Sequence, residues 1–378
     1  MKIVLVEPIV LSQRLNEAFS FSQWRYETRS ICLVKVTLED GTVGWGEGYG
    51  PAALIERAIQ FFAPFIVGKD GFAIGVRWQE MYRRSLDYAR SGVFLAGLSA
   101  IDIALWDAWA KALNRPLHEL LGGARRPAIP LYATGLYFDP LLEEQPERLA
   151  AEALSYVRQG FPAIKMKVGM SPKIDLMHVE AVRAQIGPEV RLMVDSNHAY
   201  SRREATDLIG QLRPFDITWF EEPLSPEDYR GYAELRRQSP IAIAGGECEY
   251  LVHGFRRLME AEAVDIVQPD LCACGGLTEG LRIAALARAY GVAITPHCWG
   301  TQIARAVAAH FTSTIDPTPG RAMEPDTFLE CDCTENNLRD EATTTSHRIS
   351  DGRLHISSAS GHGAGFCEER AQHFIPNS

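Results

Sequence analysis

Seven ionisable residues recur at a spacing that could build one catalytic site. Lys165 and Lys167 lie two residues apart, and Asp195, Glu221, Glu247, Asp270 and His297 follow Lys167 at intervals of about 23 to 28 residues. That interval is the length of one strand plus one helix, and the C-terminal ends of parallel strands in such a repeat converge on one mouth. Asp195, Glu221 and Glu247 on three consecutive strands would crowd three anions that cannot all stay ionised without a cation. Their all-oxygen donor set is hard and selects magnesium, or manganese, over zinc. Residues i and i+2 of a strand share a face, so both lysines project into one interior while Ile164, Met166 and Val168 pack outward. Two ammonium groups beside a dication disfavour protonation; the pKa of one lysine is expected to fall, fitting it to act as a general base. Asp270 and His297 end adjacent strands, where a carboxylate fixes an imidazole tautomer and raises its basicity. A dication, a lysine pair and a His–Asp dyad suit removal of a proton α to a carboxylate, because the developing enediolate needs electrostatic stabilisation. Lys167 or His297 would take the proton, and Lys165 would stabilise the anion.

The elements that must position these residues read as an α/β barrel. Short apolar runs alternate with amphipathic helices: Ile129–Ala133, Ala163–Val168, Val190–Val194, Ile217–Phe220, Ile241–Ala244, Val264–Val267, Val292–Thr295 and Thr327–Leu329. Strand–helix alternation over this length gives parallel strands with right-handed crossovers, and eight strand candidates favour a closed barrel over an open sheet. The first ~125 residues read differently, as α+β by periodicity. Ile31–Leu38 alternates like a strand, Glu39–Thr42 turns, and Val43–Glu47 completes a hairpin. Helical patterns follow at 53–66 and 94–113. Gly122, Gly123, Pro127 and Pro130 mark a boundary, giving an N-terminal unit at 1–126, a barrel at 127–350 and a tail at 351–378. Gly361, Gly363 and Gly365 in the tail do not open a helix, so they predict no phosphate cradle.

Composition narrows the function further. The 378 residues are 46% hydrophobic and 23% charged, ordinary for a globular protein, and a net charge of −10 argues against a nucleic-acid partner. The eight cysteines include the pairs Cys272/Cys274 and Cys331/Cys333 but no C-x-x-C, a pattern that fits reduced thiols in a cytoplasmic protein. The segment Met1–Leu15 does not read as a signal peptide, its apolar run being cut by Glu7 and Pro8. The most apolar stretch, Phe94–Leu113, carries Asp102, Asp107 and Lys111 and predicts a buried helix without a membrane partner.

Taken as a set, the lysine pair, the three carboxylates and the Asp270/His297 dyad resemble the signature of the enolase superfamily, mandelate racemase subgroup, over essentially the whole chain. The resemblance implies a modified (β/α)7β TIM barrel, an α+β capping domain and a tail returning to that cap. It implies Mg2+ held by Asp195, Glu221 and Glu247, with Lys167 as a base and Lys165 against the substrate carboxylate. Asn197 matches a substrate-contacting asparagine. Glu330 resembles the acid of the eighth strand, with Glu324 as its rival. Two capping segments, Phe19–Thr28 and Gly46–Pro51, would set specificity through Trp24, Arg25 and Tyr26, with Trp299 on the facing loop and Arg25 reaching a distal carboxylate or hydroxyl. The loops at Tyr132–Gly135, Asp270–Gly276 and His297–Thr301 are similar to those of sugar-acid cycloisomerases and acid-sugar dehydratases. The expected function is α-proton abstraction from a small sugar acid followed by β-elimination, with His297 as acid to the departing oxygen, in a homo-oligomer. The alternatives are a 2-hydroxy-acid racemase or epimerase using Lys167 and His297 as opposed bases, and a catalytically silent barrel that only binds.

Overall fold

The computed structural model describes residues 1–141, 145–316 and 327–376. Glu324 lies outside the described residues.

The chain opens with an antiparallel sheet of β1 (Ile3–Ser20), β2 (Arg25–Leu38) and β3 (Val43–Gly48). Three helices follow, α1 (Ala52–Ile66), α2 (Ile74–Ser85) and α3 (Val93–Ala112). The expected hairpin and two of these helices are present. β1 and α2 are additions to the sequence reading. The segment expected as a specificity loop at 19–28 is the tip of the β1–β2 hairpin, with Phe19 paired to Tyr26 and Ser20 to Arg25. Alternate glycines on β3 explain how α3 lies on the sheet. A Cβ at Gly44 or Gly46 would fall 2.0 or 1.9 Å from the carbonyl oxygens of Ala104 and Ala100. The same alternation turns Trp45 and Glu47 to the opposite face. α3 is long and apolar enough to cross a bilayer, but its apolar residues are buried among α1, α2 and the sheet, as expected of a core helix.

After the short helix α4 (Leu117–Leu120) come eight parallel strands: β4 (Ala128–Gly135), β5 (Ala163–Lys167), β6 (Arg191–Asp195), β7 (Ile217–Glu221), β8 (Ala242–Gly245), β9 (Ile266–Val267), β10 (Ala293–Ile294) and β11 (Leu329–Asp332). Seven helices alternate with them: α5 (Gln145–Arg158), α6 (Pro172–Ile186), α7 (Arg202–Leu212), α8 (Tyr229–Gln238), α9 (Leu251–Glu260), α10 (Gly276–Tyr290) and α11 (Gln302–Thr314). The ladder runs in sequence from β4 to β10, and β11 pairs with the free side of β4. This is the (β/α)7β barrel with a cap. The eighth strand sits later than the apolar run at 327–329 suggested, because it carries Glu330 and Asp332 into the interior and so does not read as apolar. Among the described residues no ladder joins β10 to β11; there the Glu330 carboxylate accepts the Cys298 N–H at 2.8 Å.

Strand period sorts the side chains. Ile164, Met166, Leu192, Val194 and Phe220 face outward into the main core beneath the helices. On the inner face Ala163, Met193 and Trp219 form an apolar layer with Tyr132 and Phe328. Two residues further along the same strands stand Lys165, Asp195 and Glu221, so a charged layer rests on an apolar plug.

Two buried acids tie the first unit to the barrel. Asp102 on α3 accepts the N–H and hydroxyl of Thr278 at 2.9 and 2.6 Å, capping the first turn of α10. Glu47 on β3 accepts the Thr301 and Ala304 N–H groups at 3.0 and 3.3 Å, and the Thr301 hydroxyl, at the start of α11. The tail first adds Arg353–His355 antiparallel to the base of β4. It then runs to the cap, where the His362 N–H donates to Asp107 of α3 at 2.9 Å and its ring nitrogen lies 2.9 Å from the Trp45 carbonyl.

Candidate active site

The charged layer is the floor of the site. Lys165 is fully buried, its Nζ 2.7 Å from Glu221 Oε1, 3.0 Å from Glu330 Oε1 and 3.5 Å from Asp195 Oδ2. It lies below the cavity surface, held by three carboxylates. Lys167, one step nearer the mouth, donates to Asp195 Oδ2 at 2.5 Å and Asn197 Oδ1 at 2.8 Å. Burial alone would lower both lysine pKa values, but the surrounding carboxylates outweigh it: Lys165 is raised by Glu221 and Glu330, and Lys167 by Asp195. Both lysines are thus raised by the protein's own carboxylates, whereas the lowered lysine expected from sequence rested on a dication beside the pair. The nearest charges to each ammonium are acids that sequence spacing could not place at ion-pair distance, and they dominate the neighbouring ammonium.

Asp195, Glu221 and Glu247 each offer an oxygen within 4.8 Å of the others, a spacing that suits one shared cation. Glu221 Oε2 is held by Trp219 Nε1 at 3.0 Å and Gln268 Nε2 at 2.7 Å. Glu247 Oε2 is buried without a hydrogen-bond partner. Hard oxygen donors around an unsatisfied buried carboxylate oxygen fit a divalent cation such as magnesium.

His297, on the loop after β10, brings Nδ1 within 2.6 Å of Asp270 Oδ2 and Nε2 within 3.4 Å of Glu247 Oε2. Asp270 is fixed in turn by the Cys272 N–H at 2.6 Å. Burial opposes the charged imidazole, yet Glu247, Glu330 and Asp270 outweigh it and raise its pKa to about 10. Glu330 accepts the Thr134 hydroxyl at 2.5 Å in addition to Lys165 and the Cys298 N–H. Burial would raise its pKa, but Lys165 brings it down to about 2.

Above this floor opens a cavity of about 700 Å³, lined by Lys167, Asn197, Glu247, His297 and Glu330 below and by the β1–β2 hairpin above. Trp24, Arg25, Tyr26 and Trp299 all line it, as the sequence reading placed them. Lys165, Asp195, Glu221 and Asp270 lie behind that lining. Arg25 is not free to reach a ligand unaided: its guanidinium holds Glu27 at 2.7 Å and Asp139 at 3.4 Å. The hairpin tip is tied down by Ser22 and Gln23, which donate to the Asn197 carbonyl at 2.9 and 3.0 Å.

Sequence reasoning missed three residues here. Arg29 is buried, stacks 3.9 Å over the Trp299 ring and pairs with Asp332 at 3.0 Å. Tyr49 packs its ring 5.1 Å from His297, and Tyr137 packs 4.6 Å from Phe19. Only Tyr49 left a signal, since it falls in the 46–51 segment expected to face the mouth.

Fold and site together define an enolase-type barrel, and the comparisons with known proteins agree. The mandelate racemase / muconate lactonizing enzyme N-terminal domain matches residues 6–122, and the enolase C-terminal domain-like family matches 148–370. The chain belongs to this family. Among its relatives, a D-galactarolactone cycloisomerase of Agrobacterium fabrum is 39% identical over 90% of this chain and 89% of its own. The crystal structure of a 3,6-anhydro-D-galactonate cycloisomerase from Zobellia galactanivorans is 49% identical, with a TM-score of 0.91 over all of both chains. A racemase from Streptomyces coelicolor A3(2) with bound magnesium is 28% identical, with a TM-score of 0.87 over 99% of this chain and 100% of its own.

Proposed function

We propose that the protein is a magnesium-dependent cycloisomerase that opens the ring of an anhydro sugar acid. The observation that carries this reading is that Lys167 and His297, from the second and seventh strands of the ring, line one cavity with the Glu247 oxygen that makes no hydrogen bond. The cycloisomerase relatives, similar over nearly the full length, supply the substrate class.

Asp195, Glu221 and Glu247 would hold the metal. When bound, a hard dication there supplies the positive charge that makes a proton α to a carboxylate removable. Lys167, as the neutral amine that a neighbouring dication would favour, takes the C2 proton from one face. The electron pair left behind forms the C2–C3 double bond and expels the ether oxygen from C3. His297, charged and oriented by Asp270, gives that oxygen its proton, leaving a hydroxyl on the opened chain. The enol then takes a solvent proton at C3, releases its C2 hydroxyl proton and becomes a 2-keto-3-deoxy acid, an isomer of the substrate. Lys165 and Glu330 form a fixed ion pair beneath, with Lys165 presenting positive charge toward the carboxylate end. Asn197 orients the Lys167 amino group, and Trp24, Tyr26 and Trp299 wall off water around the ring.

The division into a cap at 1–126, a barrel at 127–350 and a tail at 351–378 belongs to the same reading, supported by where the sheets change. A cytoplasmic setting is supported by eight free cysteines. A symmetric homo-oligomer is supported by the family resemblance and is checked by light scattering.

The test is incubation with magnesium and a panel of anhydro and open-chain sugar acids. A 3,6-anhydro acid should yield a keto acid of unchanged mass. Water loss from open-chain acids alone, or no turnover across the panel, would overturn the proposal.

A further inference from the structure

Beside the carboxylate trio lies a second cluster of different chemistry. His198, Glu222 and Cys248 each offer a ligand atom within 4.8 Å of the others. Glu222 and Cys248 each follow a member of the trio by one residue, and His198 lies three past Asp195. In an extended strand, neighbours would point to opposite faces. Here His198 and Glu222 have φ of 70° and 45°, as does Asn197 at 43°, and these left-handed turns swing the side chains to one side of the mouth. His198 and Cys248 line the cavity, and Glu222 is buried behind them.

The tautomer of His198 is set by the fold. Its Nδ1 lies 3.0 Å from the Leu224 carbonyl, which can only accept, so Nδ1 carries the hydrogen and Nε2 faces the cluster. Nε2 lies 3.1 Å from Glu222 Oε2 and 3.5 Å from Cys248 Sγ. An imidazole oriented by a backbone carbonyl through its other nitrogen is the usual arrangement of a metal-ligating histidine. The distances fit as well. Tetrahedral zinc, with bonds of about 2.0 Å to nitrogen and oxygen and about 2.3 Å to sulfur, sets nitrogen and oxygen about 3.3 Å apart and nitrogen and sulfur about 3.5 Å apart.

We propose that His198, Glu222 and Cys248 form a second metal site, for a borderline-soft divalent cation of the zinc type, with its fourth position open to the cavity. Mixed nitrogen, oxygen and sulfur donors separate it in preference from the all-oxygen trio, so the two sites sort hard from soft cations on adjacent strand ends.

The probe is Co2+ added to magnesium-saturated protein, read as the thiolate-to-cobalt charge-transfer absorption. One equivalent should develop the band. Cys248→Ser should abolish it, His198→Gln should weaken or abolish it, and Asp195→Asn, which disables the trio, should leave it in place. Near-ultraviolet circular dichroism confirms that each variant is folded. No band in the wild type, a band that survives Cys248→Ser, or a band lost in folded Asp195→Asn would each overturn the second site.

Discussion

The barrel mouth and the seam between cap and barrel both bury carboxylates, and they treat them in opposite ways. At the seam, Glu47 and Asp102 accept hydrogen bonds from backbone N–H groups and hydroxyls at helix starts, where the helix dipole also favours an anion. At the mouth, Asp195, Glu221 and Glu330 crowd around two lysines, and Glu247 Oε2 makes no hydrogen bond, its nearest cation being the His297 ring at 3.4 Å. The seam acids are satisfied by the fold and serve it. Among the mouth acids Glu247 keeps one buried oxygen without a hydrogen bond, which is what a cation site looks like before the cation is counted.

Breaking the mouth should cost activity most. Lys167→Ala should lower turnover by roughly 10²–10⁴-fold, the usual share of a general base, as read by steady-state kinetics on the anhydro acid. Magnesium should separate the two regions next. At 100 times its dissociation constant it should stabilise the wild type by about 2.7 kcal/mol, measured by denaturant unfolding, and Glu247→Gln should remove most of that gain. In chelator, Glu247→Gln should have little net effect, since it relieves like-charge crowding but also removes the ion pair with His297. Glu47→Ala should instead cost about 1–3 kcal/mol with or without magnesium, because it strands buried N–H donors at the start of α11. A Glu47 variant that lost its stability only in chelator would erase the contrast.

The pH dependence should sharpen it. Burial outweighs the hydrogen bonds at the seam and raises Asp102 from 3.8, and Glu47 from 4.5, each to about 7. The folded state then holds protons that the unfolded state has released. The seam contribution is flat below the ordinary carboxylate range, falls as pH rises toward about 7 and is flat above. Glu330 is the reverse: lowered from 4.5 to about 2, it stabilises above its ordinary value and loses that stability as pH falls through 2. Unfolding midpoints of Asp102→Asn should show a flatter slope between pH 4 and 7 than the wild type, while Glu330→Gln should flatten only the acid limb.

What the sequence made legible follows the range of each interaction. The strand period and the repeat of βα units are local, so the positions of Lys165, Lys167, Asp195, Glu221, Glu247, Asp270 and His297 could be read directly. Glu330 came only through the family resemblance, since its strand mixes Glu330 and Asp332 with Leu329 and Cys331. β1 was illegible because Pro8, Gln13 and Asn16 interrupt its alternation. The seam was illegible for another reason: Glu47 and Thr301 are 254 residues apart, and nothing local to either predicts the other. The same holds for Arg29 over Trp299. The sign of the lysine shifts depended on ion-pair distances to Glu221, Glu330 and Asp195, which spacing does not supply.

The central claim is that Lys167 removes the α proton and His297 protonates the leaving oxygen, from opposite sides of one cavity. Proton NMR in deuterated solvent, with the anhydro acid and magnesium, tests it on two variants at once. His297→Asn should exchange the C2 proton for deuterium without opening the ring, and Lys167→Ala should do neither. Ring opening by Lys167→Ala, or loss of exchange in a folded His297→Asn variant, would contradict the assignment.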